Sequence, residues 1–324
     1  MRRRLFVVAT LALAGVVPAS AAANDVAPYP NRPIRIVVPN AAGSGDIVPR
    51  LLASKLAASL GQPVVVENRP GASFNIASEI AAKAPADGYT LLYSFSGMTL
   101  VPHVIGPTAV DPVASFAPIV KLLTIPVVIA VNPALGARSL DELVALARER
   151  PGRVAYATGG IGSIPHLAAT LFSRSAGIEL LHAPYTNIGQ AAADVVAGTV
   201  PVYFTYYSQS QAQLQSGAML PLAVASTRRT GVLPDVPTVV ELGYTEATVE
   251  PWAGMFAPAG TPVEIVDRLN REFNAMLASP DVRERFAQLG LDPIGSTPER
   301  FADEIRAQVA RWPAIVKAAG IKRD

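Results

Sequence analysis

Residues 32–78 read RPIRIVVPNAAGSGDIVPRLLASKLAASLGQPVVVENRPGASFNIAS and contain the pattern that decides the fold. The mostly β-branched run of Ile34–Val38 predicts a buried parallel strand. Small, flexible residues at 40–45 then predict a loop, and Asp46 predicts the N-cap of an amphipathic helix. A helix that begins behind such a loop points unpaired N–H groups at whatever lies in front of it. The stretch therefore predicts a site for a small anion that is held largely by main-chain atoms.

Residues 1–23 predict a cleaved secretory signal. Arg2, Arg3 and Arg4 precede a short apolar run that ends at Pro18, and small residues suitable for cleavage follow. The run is too short to span a bilayer, so an uncleaved anchor is the less favoured alternative. We therefore expect an exported protein, and the absence of cysteine excludes a lipid attached to a cysteine.

The charge balance argues against two classes of partner. The chain has 27 Lys and Arg and 25 Asp and Glu, and three of the Arg lie in residues 1–23, so the remainder carries a formal net charge of −1. Such a balance gives no support to binding of nucleic acid or of anionic membranes. Without cysteine there are no disulfides, but a chain of this length can bury enough apolar surface to be stable.

Strand-like and helix-like segments alternate after the signal, which predicts an α/β fold with mainly parallel strands. A chain of about 300 residues exceeds the usual size of one core, so we expect two domains. Capping patterns predict that helices begin after Ser139, Thr261, Ser279 and Thr297. The candidate strands comprise residues 34–38, 64–67, 90–93, 127–131, 154–157, 180–183, 200–204, 221–225 and 252–257.

The sequence offers little for catalysis, metal binding or nucleotide binding. His103, His166 and His182 have no Glu or His at metal-ligand spacing, so we expect each to be structural. Ser44 and Ser163 lie in Gly-rich loops, but neither has a signature for an activating base nearby. No phosphate-binding glycine motif is complete. We therefore predict neither an enzyme, a metal site nor a cofactor.

Four loops that follow strands share a polar and flexible character. They comprise residues 40–46, 94–99, 158–163 and 185–189. Ligands of open α/β sheets bind at the carboxyl ends of strands, where these loops are expected to lie. Loop 158–163 also precedes a helix predicted over 165–175, which makes it a second helix N-terminus suited to an anion. Ordinary turn chemistry explains each loop alone, whereas their shared character favours a ligand site.

Several motifs occur in an order that spans nearly all of the chain after residue 28. Besides the opening stretch, they are ADGYTLL (86–92), DPVASFAPI (111–119), PGRVAYATGGIGSIPHLAA (151–169), HAPYTNIGQAAADVVAG (182–198), LPDVPTVVELG (233–243) and FAPAGTPVEIVDRLN (256–270). The ordered set resembles the Bug family, the periplasmic receptors of tripartite tricarboxylate transporters. This resemblance implies a class II periplasmic-binding-protein fold, with two α/β domains and a ligand cleft between them. Domain 1 would comprise residues 28–124 and 249–324, and domain 2 residues 125–248, with crossings near 122–126 and 245–252.

The resemblance also implies which residues contact the ligand. By position these are Gly43, Ser44, Asp46, Ser96, Thr158, Gly162, Ser163 and Tyr185, to which we add Asn40, Ala41, Gly45 and Thr205. Asp46 is expected to cap the helix and fix the loop rather than touch an anion.

This sequence departs from the family pattern at three places. The first loop is one residue shorter than usual, and Ile161 stands where the family often has Asn. Thr205 stands where an Asp is frequent, which weakens the case for an amine-bearing ligand. Tyr206 and Tyr207 follow it, and both an aromatic pocket and core packing explain them.

Three functions are compatible with these observations. The resemblance implies a receptor that closes around a small organic carboxylate and delivers it to integral-membrane transporter subunits. We expect it to be a monomer. An alternative is a receptor that signals to a membrane two-component sensor kinase. An exported enzyme on the same scaffold is the third, and the lack of a recognisable catalytic constellation disfavours it.

Overall fold

The computed structural model describes residues 29–321, except for the side chain of Ser44. The predicted signal at residues 1–23 lies outside the described residues. The first group of elements comprises β1 Ile34–Val38, α1 Ile47–Leu60, β2 Val64–Asn68, α2 Asn75–Ala82, β3 Thr90–Phe95, α3 Gly97–Val104 and β4 Phe116–Thr124. The second comprises β5 Val127–Val131, α4 Leu140–Glu149, β6 Ala155–Thr158, α5 Ile164–Ala176, β7 Leu181–Pro184, α6 Ile188–Val196, β8 Val202–Tyr206, α7 Tyr207–Gln215 and β9 Leu220–Val224. The last comprises β10 Trp252–Pro258, α8 Val263–Ala278, α9 Pro280–Gln288, β11 Asp292–Pro293 and α10 Pro298–Ala318.

These strands form two mixed sheets. The first has the order β11-β4-β10-β3-β1-β2, and the second has the order β7-β6-β8-β5-β9. β1 pairs in parallel with β2 and β3, and β6 pairs in parallel with β7 and β8. Five of the nine pairings between described strands are antiparallel, and all five involve β4, β5 or β10. The prediction of mainly parallel strands is therefore wrong, because the strands next to the passages between the sheets run against their neighbours.

Two segments of the chain pass between the sheets and are hydrogen-bonded to each other. The outward passage lies between the end of β4 and the start of β5, and the return passage leads into β10. The N–H of Ile125 donates to the carbonyl oxygen of Pro251 over 2.9 Å, which joins the two passages. The division of the chain into domains at these points stays a prediction.

Strand β4 is missing from the predicted strands because Pro118 and Lys121 interrupt its apolar run. Lys121 is nevertheless buried, since its Nζ lies 2.6 Å from Oε1 of Glu304 on α10. Pro118 pairs with Phe256 where the register between β4 and β10 shifts, and such irregularities tolerate proline.

The predicted helix starts are confirmed except at one position. The side chains of Ser139 and Thr297 cap α4 and α10, each accepting a hydrogen bond from the N–H three residues later. α9 begins at Pro280 as predicted. Thr261 makes no such cap, because α8 begins only at Val263 and the Thr261 hydroxyl donates to the Pro258 carbonyl oxygen over 2.8 Å.

Helix α10 packs on the cores of both sheets. Phe301 lies in a core cluster of the first sheet, whereas Trp312 lies in a core cluster of the second. The indole Nε1 of Trp312 also donates to Oγ1 of Thr99 on α3 over 2.8 Å. No helix within residues 29–321 is both long enough and apolar enough to cross a membrane.

Candidate functional site

A cavity of about 840 Å³ lies between the two sheets. Loops that follow β1, β2, β3 and β6 line it, together with α3, the start of α7, which follows β8 directly, and the passages between the sheets. The predicted site residues that line the cavity are Asn40, Gly45, Ser96, Gly162 and Ser163. Those that do not line it are Ala41, Gly43, Asp46, Thr158, Tyr185 and Thr205. For Ser44, the predicted side-chain contact lies outside the described part of the structure.

Asp46 holds the first loop through its carboxylate. The N–H of Gly43 donates to Oδ1 over 3.0 Å, and Nε of Arg50 donates to Oδ2 over 2.7 Å. Burial raises the pKa of Asp46, but these hydrogen bonds outweigh it and keep the pKa below its usual range. The carboxylate therefore fixes the loop, but the predicted side-chain cap of α1 is absent, because Oδ1 bonds backwards to the N–H of Gly43 and the carboxylate makes no bond to an N–H of α1.

Asn40 and Gly45 fit together at the cavity wall. A Cβ on Gly45 would lie 2.6 Å from Nδ2 of Asn40, so the absent side chain makes room for the amide. The carbonyl oxygen of Asn40 accepts a hydrogen bond from Nδ2 of Asn68 over 2.9 Å, which ties the loop to β2. Oδ1 of Asn40 is buried and has no partner among the described residues, so it can accept a hydrogen bond from a ligand or a water.

The loop between β2 and α2 lines the cavity, although we did not predict it as part of the site. Three successive residues have a left-handed backbone, with φ of 45° at Ala72, 50° at Ser73 and 78° at Phe74. Such strain at non-glycine residues is costly and is concentrated at functional sites. The signal was present in the sequence PGASF, because this loop also follows a strand and is rich in small residues.

The third loop uses its polar groups within itself. The N–H of Gly162 donates to Nδ1 of His166 over 3.1 Å, and the hydroxyl of Ser163 donates to the carbonyl oxygen of Gly160 over 2.8 Å. The Gly162 N–H is therefore not free for an anion, contrary to the simple expectation for a helix N-terminus. The N–H groups of Ile161 and Ile164 make no hydrogen bond within residues 29–321 and remain as donors at this end of α5.

Two histidines stack beside this loop. The ring centroids of His166 and His182 lie 4.2 Å apart, and Oγ1 of Thr158 lies 2.7 Å from Nε2 of His182. Burial lowers the pKa of His166, and burial together with His166 lowers the pKa of His182 to about 4. Both rings are therefore neutral at pH 7. The described residues contain no group of three side chains that could hold a metal ion.

Thr158, Tyr185 and Thr205 have structural partners instead of facing the cavity. Thr158 and Thr205 are buried, and the hydroxyl of Tyr185 donates to Oδ2 of Asp194 over 2.7 Å. The two tyrosines after Thr205 differ, since Tyr206 lines the cavity and Tyr207 is part of the core. Burial raises the pKa of Tyr206, so its hydroxyl stays protonated at neutral pH.

The cavity wall is mostly apolar. Helix α3 and the loop before α5 face each other and contribute Leu100, Val101, Val104, Ile105, Ile161 and Ile164. None of the described residues that line the cavity carries a charge, and its polar side chains are Asn40, Ser73, Tyr93, Ser96, Ser163, Tyr206, Ser208 and Gln209. The arrangement suits the retention of a molecule by neutral donors and apolar surface.

The arrangement does not assemble a nucleophile with a base at Ser163. Its hydroxyl oxygen accepts a hydrogen bond from the backbone N–H of His166. Nδ1 of that histidine accepts a hydrogen bond from the backbone N–H of Gly162. The imidazole therefore does not face the hydroxyl that it would have to activate.

Similarity to known proteins identifies the family of this chain. The model of the tripartite tricarboxylate transporter family receptor matches residues 48–321. The chain belongs to this family. BugT of Bordetella pertussis is 38% identical to it over 301 residues, which cover 91% of each chain.

Two solved structures of related receptors carry small acids. An R. palustris protein with adipate is 32% identical, has a TM-score of 0.74, and aligns over 91% of this chain and 100% of its own. MatC from Rhodopseudomonas palustris with bound malate is 30% identical and has a TM-score of 0.68. The alignment covers 89% of this chain and 100% of the MatC chain. The resemblance to the Bug family and the predicted fold class are thus confirmed. The tripartite tricarboxylate transporter receptors are periplasmic solute-binding proteins rather than enzymes.

Proposed function

We propose that the protein captures a small organic carboxylate in the cavity between its sheets and delivers it to integral-membrane transporter subunits. The observation that carries this proposal is the cavity itself, which loops from both sheets line at the carboxyl ends of their strands. The related receptors with adipate and malate support the assignment of the ligand class. No cofactor is needed for this function.

Capture would proceed by movement of the two predicted domains, residues 28–124 with 249–324 and residues 125–248. The passages that join them are short and hydrogen-bonded at Ile125 and Pro251, which suits a hinge. Closure would bring the first loop and the start of α5 onto opposite sides of the ligand. In this proposal the ligand contacts Asn40, Gly45, Ser96 and Ser163.

The carboxylate would be held without a cationic side chain. The free N–H groups of Ile161 and Ile164 lie at the positive end of α5, where a negative charge is stabilised by about 0.3–1 kcal/mol from the helix dipole. Hydrogen bonds from these N–H groups to a carboxylate add to this, because bonds to ionised acceptors are stronger than neutral ones.

Calorimetric titration of ligand-stripped protein with malate, adipate, citrate and benzoate tests the proposal. We expect one site per chain, a monomer by light scattering, and loss of binding in Val104→Trp, which fills the cavity beside Gly162. Val65→Trp, at an exposed position on β2, is the matched control. If no acid binds, or if Val104→Trp binds as the wild type does, the proposed function is wrong.

Export is tested separately. We expect the protein to be recovered from the periplasm without residues 1–23, as the N-terminal sequence of the purified protein will show. Recovery of residues 1–23 on the purified protein contradicts the cleaved signal.

A further inference from the structure

The chemistry of the cavity wall restricts the kind of acid that it can hold. The polar lining side chains are neutral, and apolar side chains from both halves of the molecule surround them. A second carboxylate on the ligand would therefore have to leave water without a cationic partner, which is unfavourable. An apolar ligand body, in contrast, gains by leaving water. The wall thus favours one charge on a largely apolar molecule.

Phe74 gives this apolar surface an aromatic character. Its ring lies 5.9 Å from that of Phe95, which in turn lies 5.1 Å from that of Tyr93, and all three residues line the cavity. Aromatic rings at such distances attract one another beyond their burial, and a ligand ring could extend the group.

The structure holds Phe74 in place at a cost. Its backbone has φ of 78°, which an L-residue rarely adopts. A Cβ on Gly97 would lie 2.7 Å from Cε2 of Phe74, so a glycine at 97 is what leaves room for the ring. The backbone strain at Phe74 and the missing side chain at Gly97 occur together in the cavity wall. This combination indicates that the position of the Phe74 ring is functional.

The ring and the free N–H groups lie at opposite ends of α3. Gly97, beside Phe74, begins the helix, and Val104, its last residue, lies beside Gly162 at the start of α5. At 1.5 Å per residue, these ends of α3 are about 10 Å apart. A molecule with a carboxylate at the α5 end and a ring toward Phe74 would span this distance.

We propose that the ligand is an aromatic acid with a single carboxylate. This inference rests on the proposed function and narrows it: the carboxylate binds at the N–H groups of Ile161 and Ile164, and the ring packs on Phe74 and Phe95. Tyr206, which also lines the cavity with a protonated hydroxyl, contributes a further aromatic wall on the second sheet.

Titration of ligand-stripped wild-type protein with five acids tests the inference. Benzoate and phenylacetate are the aromatic probes, cyclohexanecarboxylate has a similar size without the ring, and adipate and malate carry two charges. We expect the better aromatic acid to bind about tenfold or more tightly than each of the other three probes, which corresponds to about 1.4 kcal/mol.

The variant Phe74→Leu tests the role of the ring while keeping an apolar side chain. We expect its affinity for the better aromatic acid to fall about fivefold, while that for cyclohexanecarboxylate changes less than about twofold. Val263→Ala, an exposed apolar position on α8, is the control for substitution outside the cavity. If Phe74→Leu does not fold, as judged by circular dichroism, the wild-type ranking decides alone.

The outcomes separate the inference from the proposed function. Tighter binding of adipate or malate than of both aromatic acids overturns the inference and leaves the carboxylate receptor intact. Equal binding of cyclohexanecarboxylate and the better aromatic acid also overturns it, because the ring then adds nothing. Absence of binding by all five acids overturns the inference, and the proposed function falls with it only if citrate does not bind either.

Discussion

The backbone N–H of Gly162 donates a hydrogen bond to Nδ1 of His166 over 3.1 Å, at the edge of the cavity. Nδ1 can accept this bond only when it carries no proton. The ring of His166 also stacks on that of His182 with an interplanar angle of 9°. The loop that begins α5 therefore depends on two neutral imidazoles in contact.

Because His166 and His182 are neutral in the folded protein, we predict that it loses stability in acid. Burial lowers the pKa of both histidines, that of His182 from 6.5 to about 4. Between these two values the unfolded chain takes up protons that the folded chain does not, so the free energy of unfolding falls as the pH falls. We expect the thermal midpoint to drop as the pH falls from 6.5 to about 4, and to drop less in His182→Gln. An equal drop in the variant and the wild type would exclude the histidine as the cause.

Gly45→Ala should weaken ligand binding without unfolding the protein. The new Cβ would lie 2.6 Å from Nδ2 of Asn40 and would displace an amide that lines the cavity. We expect a loss of affinity of about two- to tenfold, measured by calorimetry, because one lost hydrogen bond costs about 0.5–1.5 kcal/mol. Gly189→Ala on α6 is the matched control, since its Cβ would lie at 3.3 Å from Oδ1 of Asn187 and outside the cavity. Equal affinities in the two variants would refute a role for Asn40.

Lys121→Met should destabilise the protein far more than a surface substitution of the same kind. Its ammonium is buried against the carboxylate of Glu304, which would be left without this partner. We expect a loss of about 1.5–3 kcal/mol in urea unfolding, as for hydrogen bonds to charged groups. Lys83→Met, which breaks an exposed pair with Glu79, should cost less than about 0.5 kcal/mol. Similar losses in both variants would contradict the account of β4.

Trp312→Phe should loosen the contact between α10 and α3. The indole Nε1 donates to Oγ1 of Thr99, and both residues are buried. Loss of this bond and of part of the ring should lower the free energy of unfolding by about 1–3 kcal/mol. Hydrogen exchange should then accelerate in α3 and α10. Unchanged exchange in α3 would show that the bond does not hold this helix.

The sequence predicts strands well where they are short runs of mostly β-branched residues and poorly where a charged residue is buried. The bounds of β1 and β5 agree with the prediction, because both are short runs of mostly β-branched residues. β4 was missed because the burial of Lys121 depends on Glu304, which lies 183 residues later. No local pattern reveals a partner so distant.

The candidate site also contains residues that the sequence pattern predicts and residues that it does not. Loop positions follow from the alternation of strands and helices, so Asn40, Ser96 and Ser163 were found in the cavity wall. Thr158, the last residue of β6, and Thr205, within β8, were not, because their side chains are buried. The apolar wall of α3 and the position of Phe74 depend on the packing of distant segments and on backbone strain, neither of which the sequence pattern reveals.

A crystal structure of the protein with its tightest-binding acid tests the central claim most directly. We predict that the acid lies between the two sheets, with its carboxylate within hydrogen-bonding distance of the Ile161 and Ile164 N–H groups and its body against Phe74. An acid bound outside this cavity, or one held by residues of a single sheet, would contradict the account.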